Sequence, residues 1–140
     1  MLNATIIGQY FLSKNPELTD IQIQKLVYYA YSWYMVKNKG EKLFEESPQA
    51  WIHGPVFRTL FDSMKDYKRF SKTDEIEKIE KNITDFLDVI YEIYGKYSGN
   101  ELERMTHSEL PWIKARIGLK PYEFSQNTIL DEDIMKCYGG

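Results

Sequence analysis

Two histidines and one cysteine, His53, His107 and Cys137, are the residues with the most versatile chemistry in this sequence. A metal site needs several nitrogen, sulfur or carboxylate ligands at short spacings, and a Cys-His pair needs a firmly held thiol. The three residues lie in distant segments, and no H-E-x-x-H, C-x-x-C or His-x-His pattern occurs. Cys137 also lies close to an end that we expect to be mobile. The sequence therefore predicts neither a metal site nor a cysteine nucleophile.

Other catalytic signatures are also missing from the sequence. The adjacent carboxylates Glu45 and Glu46 lie next to a turn, where a solvated edge is the simplest interpretation. No P-loop and no G-x-G-x-x-G pattern occurs, so nothing predicts nucleotide binding. We expect no enzymatic activity and no cofactor. An enzyme that uses His53 or His107 remains a weak alternative.

Composition and charge predict a globular protein without a nucleic-acid partner. The chain has 140 residues, of which 43% are hydrophobic, and its 18 basic and 21 acidic residues give a net charge of −3. No basic stripe is present, so electrostatics gives no reason to expect nucleic-acid binding. One cysteine excludes an internal disulfide, and no apolar run is long enough to span a membrane or serve as a leader. We expect one domain, residues 1–140, in the cytoplasm.

Residues 50–57 contain the clearest local signal for a turn of the chain. Three apolar residues lead into His53, Gly54 and Pro55. Glycine accepts positive φ, and proline is favourable in the first turn of a helix. We therefore predict a short strand, a tight turn and a helix that starts at Pro55 and ends near residues 68–70. His53 either hydrogen-bonds the turn or belongs to a recognition surface.

The longest helix is predicted over residues 20–38, after an opening helix over residues 3–14 that ends before Pro16. Thr19 and Gln22 form a capping-box pattern, and Lys39-Gly40 is a termination signal. Apolar residues surround the helix on nearly all sides, which is typical of a buried central helix. We expect Lys25, within this apolar surface, to pack its stem and to send its ammonium to water; a specific ion pair is the alternative.

The remaining segments predict a mainly α protein. A small two-stranded hairpin is predicted near residues 42–53, and residues 71–81 are interpreted as a surface connection. Further helices are expected over residues 82–94, from a second capping box at Ser98 and Glu101 to residue 107, and from Pro111. Asp131 is predicted to cap a closing helix, after which residues 138–140 fray. The predicted fold is a compact single-domain helical bundle around residues 20–38.

Aromatic residues are the remaining signal. The chain contains 11 tyrosines, seven phenylalanines and three tryptophans, and one core of this size can hardly bury all of them. Trp and Tyr are favoured as anchors of protein interfaces. The excess favours a protein–protein interface.

Three segments, in this order, resemble a known family. Residues 23–34 (IQKLVYYAYSWY) are similar to its first signature, with Lys25, Tyr28, Tyr29 and Trp33. Residues 49–56 (QAWIHGPV) are similar to the second, with Trp51, His53, Gly54, Pro55 and Val56, and residues 106–112 (THSELPW) are similar to the third, with Thr106, His107, Pro111 and Trp112. The sequence resembles the Panacea domain family, also described as SocA-like antitoxins or the phage-associated GepA family, over roughly residues 3–135.

The resemblance implies an antitoxin-type protein that neutralises a protein toxin, usually encoded beside it, by direct binding. In one branch of the family the member is an adaptor that delivers its toxin to an AAA+ protease. An adaptor or phage-associated protein without a toxin partner is therefore the alternative function. The motif residues are candidates for partner binding, with Lys25, Trp51 and His53 foremost, but they can equally be retained for the fold alone.

Overall fold

A computed structural model describes all residues from Met1 to Gly140. It contains eight α-helices and one two-stranded antiparallel sheet, so the predicted fold class is confirmed. The elements in chain order are α1 (Ala4–Lys14), α2 (Asp20–Lys37), β1 (Gln49–Trp51), β2 (Gly54–Val56), α3 (Arg58–Met64), α4 (Tyr67–Phe70), a 3₁₀ turn (Glu75–Lys78), α5 (Lys81–Tyr94), α6 (Gly99–His107), α7 (Leu110–Ala115) and α8 (Asp131–Gly139).

Helix α2 is the centre of the molecule, as the sequence predicts. Eleven of its 18 residues are buried, and they cover most of its circumference. It packs against α1, α3, α5, α6, α8 and β2. The predicted capping box is present: the Thr19 side chain accepts a hydrogen bond from the Gln22 N–H, and the Gln22 side chain accepts one from the Thr19 N–H. A helix that is apolar on nearly all sides therefore has neighbours on nearly all sides.

The hairpin forms, but later in the chain than predicted. Its strands are β1 and β2, with Ala50 opposite Pro55 and the turn at Ile52 and His53. No strand forms around Leu43 and Phe44, which are buried in irregular structure. On its other edge, β1 is paired with residues 127–129 through hydrogen bonds such as that from the Ala50 N–H to the Asn127 carbonyl.

The prediction that a helix begins at Pro55 is wrong, because Gly54 and Pro55 belong to β2. Helix α3 starts at Arg58, ends at Met64 and is followed by the separate short helix α4. Its first turn has no local cap. Instead, the Glu46 carboxylate accepts hydrogen bonds from the Thr59 N–H, at 3.1 Å, and from the Thr59 hydroxyl. Glu46 is therefore not simply part of a solvated edge.

Helices α5, α6 and α7 confirm the predictions for the second half of the chain. Ile83, Leu87, Ile90 and Tyr94 form the buried stripe of α5, whereas Phe86 is only half-buried. The capping box of Ser98 and Glu101 opens α6, and Pro111 lies in the first turn of α7. No helix combines the length and the apolarity that crossing a bilayer requires.

The closing helix differs from the prediction at both ends. Asp131 does not cap α8, and its carboxylate accepts a hydrogen bond from the Tyr31 hydroxyl instead. At the other end, residues 138 and 139 do not fray, since α8 continues to Gly139. The Tyr138 ring packs against Tyr28, Tyr29 and Trp33. A tertiary contact therefore holds the last turn, although its local sequence favours fraying.

Candidate functional site

The hairpin brings the three motif segments together. Helix α2 carries the first segment and packs beneath β2, while α6, which carries the start of the third, packs against both. The residue that permits this close approach is Gly54, which has a φ of +112°. A Cβ atom there would lie 2.6 Å from Lys25 Cε and 2.9 Å from Thr106 Oγ1. All three motifs therefore meet at one point, where only glycine fits.

Lys25 lies beneath the hairpin and does not reach water. Its exposed fraction is 1%, and its ammonium donates a hydrogen bond to the Pro55 carbonyl over 3.2 Å. No carboxylate lies within ion-pair distance, so both sequence-based interpretations of this side chain are wrong. Burial lowers the pKa of Lys25 from 10.5 to about 8, against an opposing effect of the Glu103 charge.

Gln24, next to Lys25, forms a second buried link to the hairpin. Its side-chain amide donates to the Phe57 carbonyl at 3.2 Å, and its side-chain oxygen accepts from the Phe57 N–H at 3.0 Å. These two bonds satisfy the backbone N–H and carbonyl of Phe57, which lies between β2 and α3. Sequence reasoning missed this residue, although a glutamine within an apolar helix face is a signal for such a partner.

The third motif holds the hairpin from the side of α7. The Trp112 Nε1–H donates to the Trp51 carbonyl at 2.8 Å. The His107 ring is stacked on Trp112, with centroids 3.9 Å apart and an interplanar angle of 13°. The His107 Nε2 atom is buried without a hydrogen-bond partner, and burial lowers the pKa of this imidazole. His107 is therefore a packed, largely neutral ring.

His53 is the motif residue that is most open to solvent. Its side chain at the hairpin tip is 69% exposed, and Nδ1 lies 3.2 Å from the Glu103 carboxylate on α6. Trp51 is half-buried, and its ring contacts the Phe61 ring of α3 edge-on, with ring centroids 4.9 Å apart. Gly54, Pro55 and Val56 are buried. The accessible part of the second motif is thus limited to the tip and to the Trp51 face.

The tyrosines of the first motif belong to a largely buried polar cluster. The Tyr29 and Tyr138 hydroxyls both donate to the Glu109 Oε1 atom, each at 2.8 Å. The Tyr28 hydroxyl lies 3.1 Å from that of Tyr138, whose hydrogen is already used, so Tyr28 is the donor there. Burial raises the pKa of Glu109, while the two donated hydroxyls act in the opposite direction. The cluster joins α2, α8 and the start of α7.

Two further rings extend this cluster. Tyr94 of α5 is stacked on Tyr29 with centroids 4.0 Å apart and an interplanar angle of 3°. The Trp33 Nε1–H donates to the Tyr94 hydroxyl at 2.8 Å. Sequence reasoning identified Tyr28, Tyr29 and Trp33 but missed Glu109 and Tyr138, because their partners are far away in sequence.

Comparison with known proteins agrees with this arrangement of motifs. The family model for the SocA-like antitoxin, Panacea domain, matches residues 23–113, which include all three segments. The chain belongs to the Panacea domain family. No curated protein and no solved structure shows a significant match. Membership supports an antitoxin-type role, and it agrees with the resemblance identified from the motifs.

Most Panacea motif residues are buried or half-buried in the structure. Lys25, Tyr28, Tyr29, Thr106 and Pro111 are buried, and Trp33, Trp51 and Trp112 are half-buried. Their hydrogen bonds join α2, the hairpin and α7. The motif set therefore contributes a structural kernel, with Trp33, Trp51 and His53 at its accessible margins.

Arg116, which follows α7, supports this kernel and was also missed. Its guanidinium donates to the Ala50 carbonyl at 3.0 Å and to the Glu123 carbonyl at 2.6 Å. It lies 5.2 Å from the centre of the Trp112 ring system, within cation–π range. One buried side chain thus connects β1 with the loop after α7.

The residues with metal or nucleophile chemistry do not form a site. No group of three or more His, Cys, Asp or Glu side chains is arranged to hold a metal ion. The His53 side chain pairs with Glu103, and His107 is stacked on Trp112. Cys137 lies in α8, where burial raises the pKa of its thiol. A raised thiol pKa keeps the weakly nucleophilic protonated form at neutral pH.

Proposed function

We propose that this Panacea domain is an antitoxin that neutralises a cognate protein toxin by direct binding. Membership of the SocA-like antitoxin family is the observation that carries the proposal, because the match covers residues 23–113 and all three motifs. The buried motif residues supply the rigid scaffold that a binding surface needs. In this proposal the toxin is encoded beside the antitoxin, and both proteins act in the cytoplasm.

The proposed mechanism is occlusion of a toxin surface. A stable interface of ordinary size buries about 800 Å² on each partner and depends on a few aromatic anchors. Trp51 and Phe61 supply exposed aromatic area next to the hairpin tip, since Phe61 is 37% exposed and contacts the half-buried Trp51. These contacts favour toxin recognition without any bond-making chemistry.

The proposal includes no enzymatic activity. A general base must reach its substrate and titrate near the working pH. The His107 Nε2 atom is buried, which makes it a poor candidate for that role. His53 is accessible, and the one hydrogen-bond partner of its ring is the Glu103 carboxylate, which is not a nucleophile of the Ser or Cys type.

Co-expression with the product of each adjacent reading frame tests the proposal. We expect one of these products to stop growth when expressed alone, and growth to return when the Panacea protein is co-expressed and forms an isolable complex. The readouts are colony growth and a tagged pull-down. If no neighbouring product is toxic or binds, the antitoxin function is wrong and an interaction protein without a toxin partner takes its place.

A protease-deficient strain separates occlusion from adaptor activity. Direct occlusion predicts rescue without loss of the toxin, whether or not the AAA+ proteases are present. Delivery to an AAA+ protease predicts that the toxin disappears during rescue and that rescue fails in the deficient strain. Immunoblots of the toxin during co-expression distinguish these outcomes.

A further inference from the structure

An exposed apolar groove lies between α2 and α5 and borders the motif kernel at Trp33. It has a volume of about 620 Å³, and six of the nine residues that line it are hydrophobic. The α2 wall contains Trp33 and Val36, and the α5 wall contains Phe86, Val89, Ile90 and Ile93. We call this surface the α2–α5 groove.

Helix α5 carries a second apolar stripe outside the stripe that packs into the core. Ile83, Leu87 and Ile90 are already buried against the rest of the protein. Val89 and Ile93, four residues apart, are nevertheless 51% and 48% exposed. Two large aliphatic side chains at this spacing form a surface that another helix can cover.

The length of the groove fits a helix. The α5 residues that line it run from 82 to 93, which at 1.5 Å per residue is about 16 Å, or about three helical turns. An amphipathic helix lying in such a groove inserts apolar side chains at positions i, i+3 or i+4, and i+7. The two helical walls of this groove offer the matching ridges.

The charges around the groove favour an acidic occupant. Two charged residues line it, Lys37 and Asp85. Both Asp85 carboxylate oxygens accept hydrogen bonds from the Lys81 ammonium, at 2.9 and 3.0 Å. Lys37 has no carboxylate partner, and its ammonium lies 5.7 Å from the centre of the Phe86 ring. The unpaired charge at the groove is therefore positive, which is complementary to a carboxylate on a partner.

We propose that the α2–α5 groove binds one amphipathic helix of the toxin, with its apolar stripe on Val89 and Ile93 and an acidic residue against Lys37. The identification of the occupant as a toxin helix rests on the antitoxin function proposed above. The groove itself and its preference for an acidic helix do not depend on that function. The groove lies apart from the hairpin tip, so it provides a second contact region for the toxin.

Growth rescue with matched variants tests the surface. Ile93→Glu places a charge in the groove and is expected to abolish rescue and to weaken the isolated complex at least tenfold. Ile113→Glu is the control, because Ile113 on α7 is similarly exposed, at 43%. Lys37→Glu is expected to weaken the complex, while Lys72→Glu on a different surface is not. Rescue by Ile93→Glu at wild-type level would overturn the proposal.

A peptide titration decides the same question without the toxin. The probe is a dye-labelled 18-residue helical peptide with leucines at i, i+4, i+7 and i+11 flanked by glutamates. The comparison is the same peptide with lysine flanks. We expect saturable binding of the acidic peptide in fluorescence anisotropy, at least tenfold weaker for Ile93→Glu and for the lysine peptide. Absence of binding, or equal binding to Ile93→Glu, would overturn the groove assignment.

The two assays fail in different ways. If no neighbouring product is toxic, the antitoxin function fails while the peptide titration still decides the groove. If rescue works but is insensitive to Ile93→Glu, the function stands and the groove assignment fails. Light scattering at increasing concentration gives the remaining outcome: a wild-type dimer that Ile93→Glu dissociates would make a second copy of this chain the occupant and overturn the proposal.

Discussion

Gly54 is the residue at which the three motif segments come closest together. Its φ of +112° lies in a region that residues with a Cβ atom rarely adopt, and Lys25 and Thr106 fill the space that a side chain would need. Both constraints act on the same residue. The glycine is therefore required by the backbone and by the packing at once.

Gly54→Ala is expected to lower the free energy of unfolding by about 2–4 kcal/mol, through left-handed strain and displacement of Lys25. Gly118→Ala is the matched control, since Gly118 also has positive φ, +87°, but nothing lies within 4 Å of its Cβ position. It should lose only about 1–2 kcal/mol. Urea unfolding measures both. Equal losses would show that packing at Gly54 contributes little.

Lys25 makes the stability of the protein depend on pH in the alkaline range. Its pKa is about 8 in the folded protein and returns to its ordinary 10.5 when the chain unfolds. Between these values the unfolded chain binds more protons, so the free energy of unfolding rises with pH. Below pH 8 the buried Lys25 ammonium is charged and lowers the free energy of unfolding by its full amount. This loss disappears as the ammonium gives up its proton.

We therefore expect Lys25 to contribute a gain of about 2 kcal/mol between pH 7 and 9.5, seen as the difference between the wild-type and Lys25→Met profiles. Burial raises the pKa of Cys137 in the folded state, so this thiol opposes the gain in the wild-type protein near pH 9. Lys25→Met should remove most of this slope. The window ends below pH 10, because Tyr28 and Tyr29 have raised pKa values in the folded state and reverse the trend once tyrosines ionise in the unfolded chain. Chemical denaturation at fixed pH values measures the slope, and an unchanged slope in Lys25→Met would assign it to another group.

At the level of single elements, α8 depends on one tyrosine. Tyr138→Phe removes the donor to Glu109 and the acceptor for Tyr28, and it leaves a half-buried carboxylate with one hydroxyl fewer. We expect a loss of about 1–3 kcal/mol in thermal or urea unfolding. Tyr122→Phe is the control, because Tyr122 is 87% exposed and should change stability by less than about 0.5 kcal/mol. Similar effects of both substitutions would contradict this role of Tyr138.

The helices were predictable because their signals are local. Both capping boxes, at Thr19 and at Ser98, formed as predicted, and the apolar stripe of α5 gave its buried face. Such patterns depend on residues within a few turns of each other. The segments that carry the candidate site were identified for the same reason, as three short continuous motifs.

The bounds of the hairpin and the two ends of the last helix were mispredicted because distant residues decide them. Locally, Gly54 and Pro55 favour a helix start, but pairing with β1 and the Lys25 contact place them in a strand. The last turn of α8 is held by contacts to Tyr28 and Glu109, which no short window of sequence shows. The partners of Gln24 and Arg116 were missed for the same reason.

In the molecule as a whole, the proposed binding role of the α2–α5 groove is separate from the structural role of the motif kernel. The kernel is largely buried, whereas Val89 and Ile93 of the groove are about half exposed. Substitutions in the two regions should therefore affect the proposed antitoxin activity in different ways. Substitutions in the kernel should act through the amount of folded protein. Substitutions in the groove should act through the stability of the complex.

Trp112→Phe tests this separation. It removes the hydrogen bond to the Trp51 carbonyl and should cost about 1–2 kcal/mol of stability. We expect growth rescue to fall only as far as the folded fraction falls and to recover at lower temperature, whereas rescue by Ile93→Glu should stay absent at every temperature. Melting curves and rescue assays at two temperatures measure this. Loss of rescue by Trp112→Phe at unchanged stability would place the third motif in the interface.

The contacts between α2 and α8 have a consequence for synthesis on the ribosome. Tyr28 meets Tyr138 across 110 residues, and Tyr31 meets Asp131 across 100. At about 5–20 residues per second, roughly 5–20 s pass between translation of α2 and translation of its last partner. During that interval the central helix of the nascent chain lacks one of its covering surfaces. Chaperones and proteases therefore have access to the incomplete protein before the finished fold excludes them.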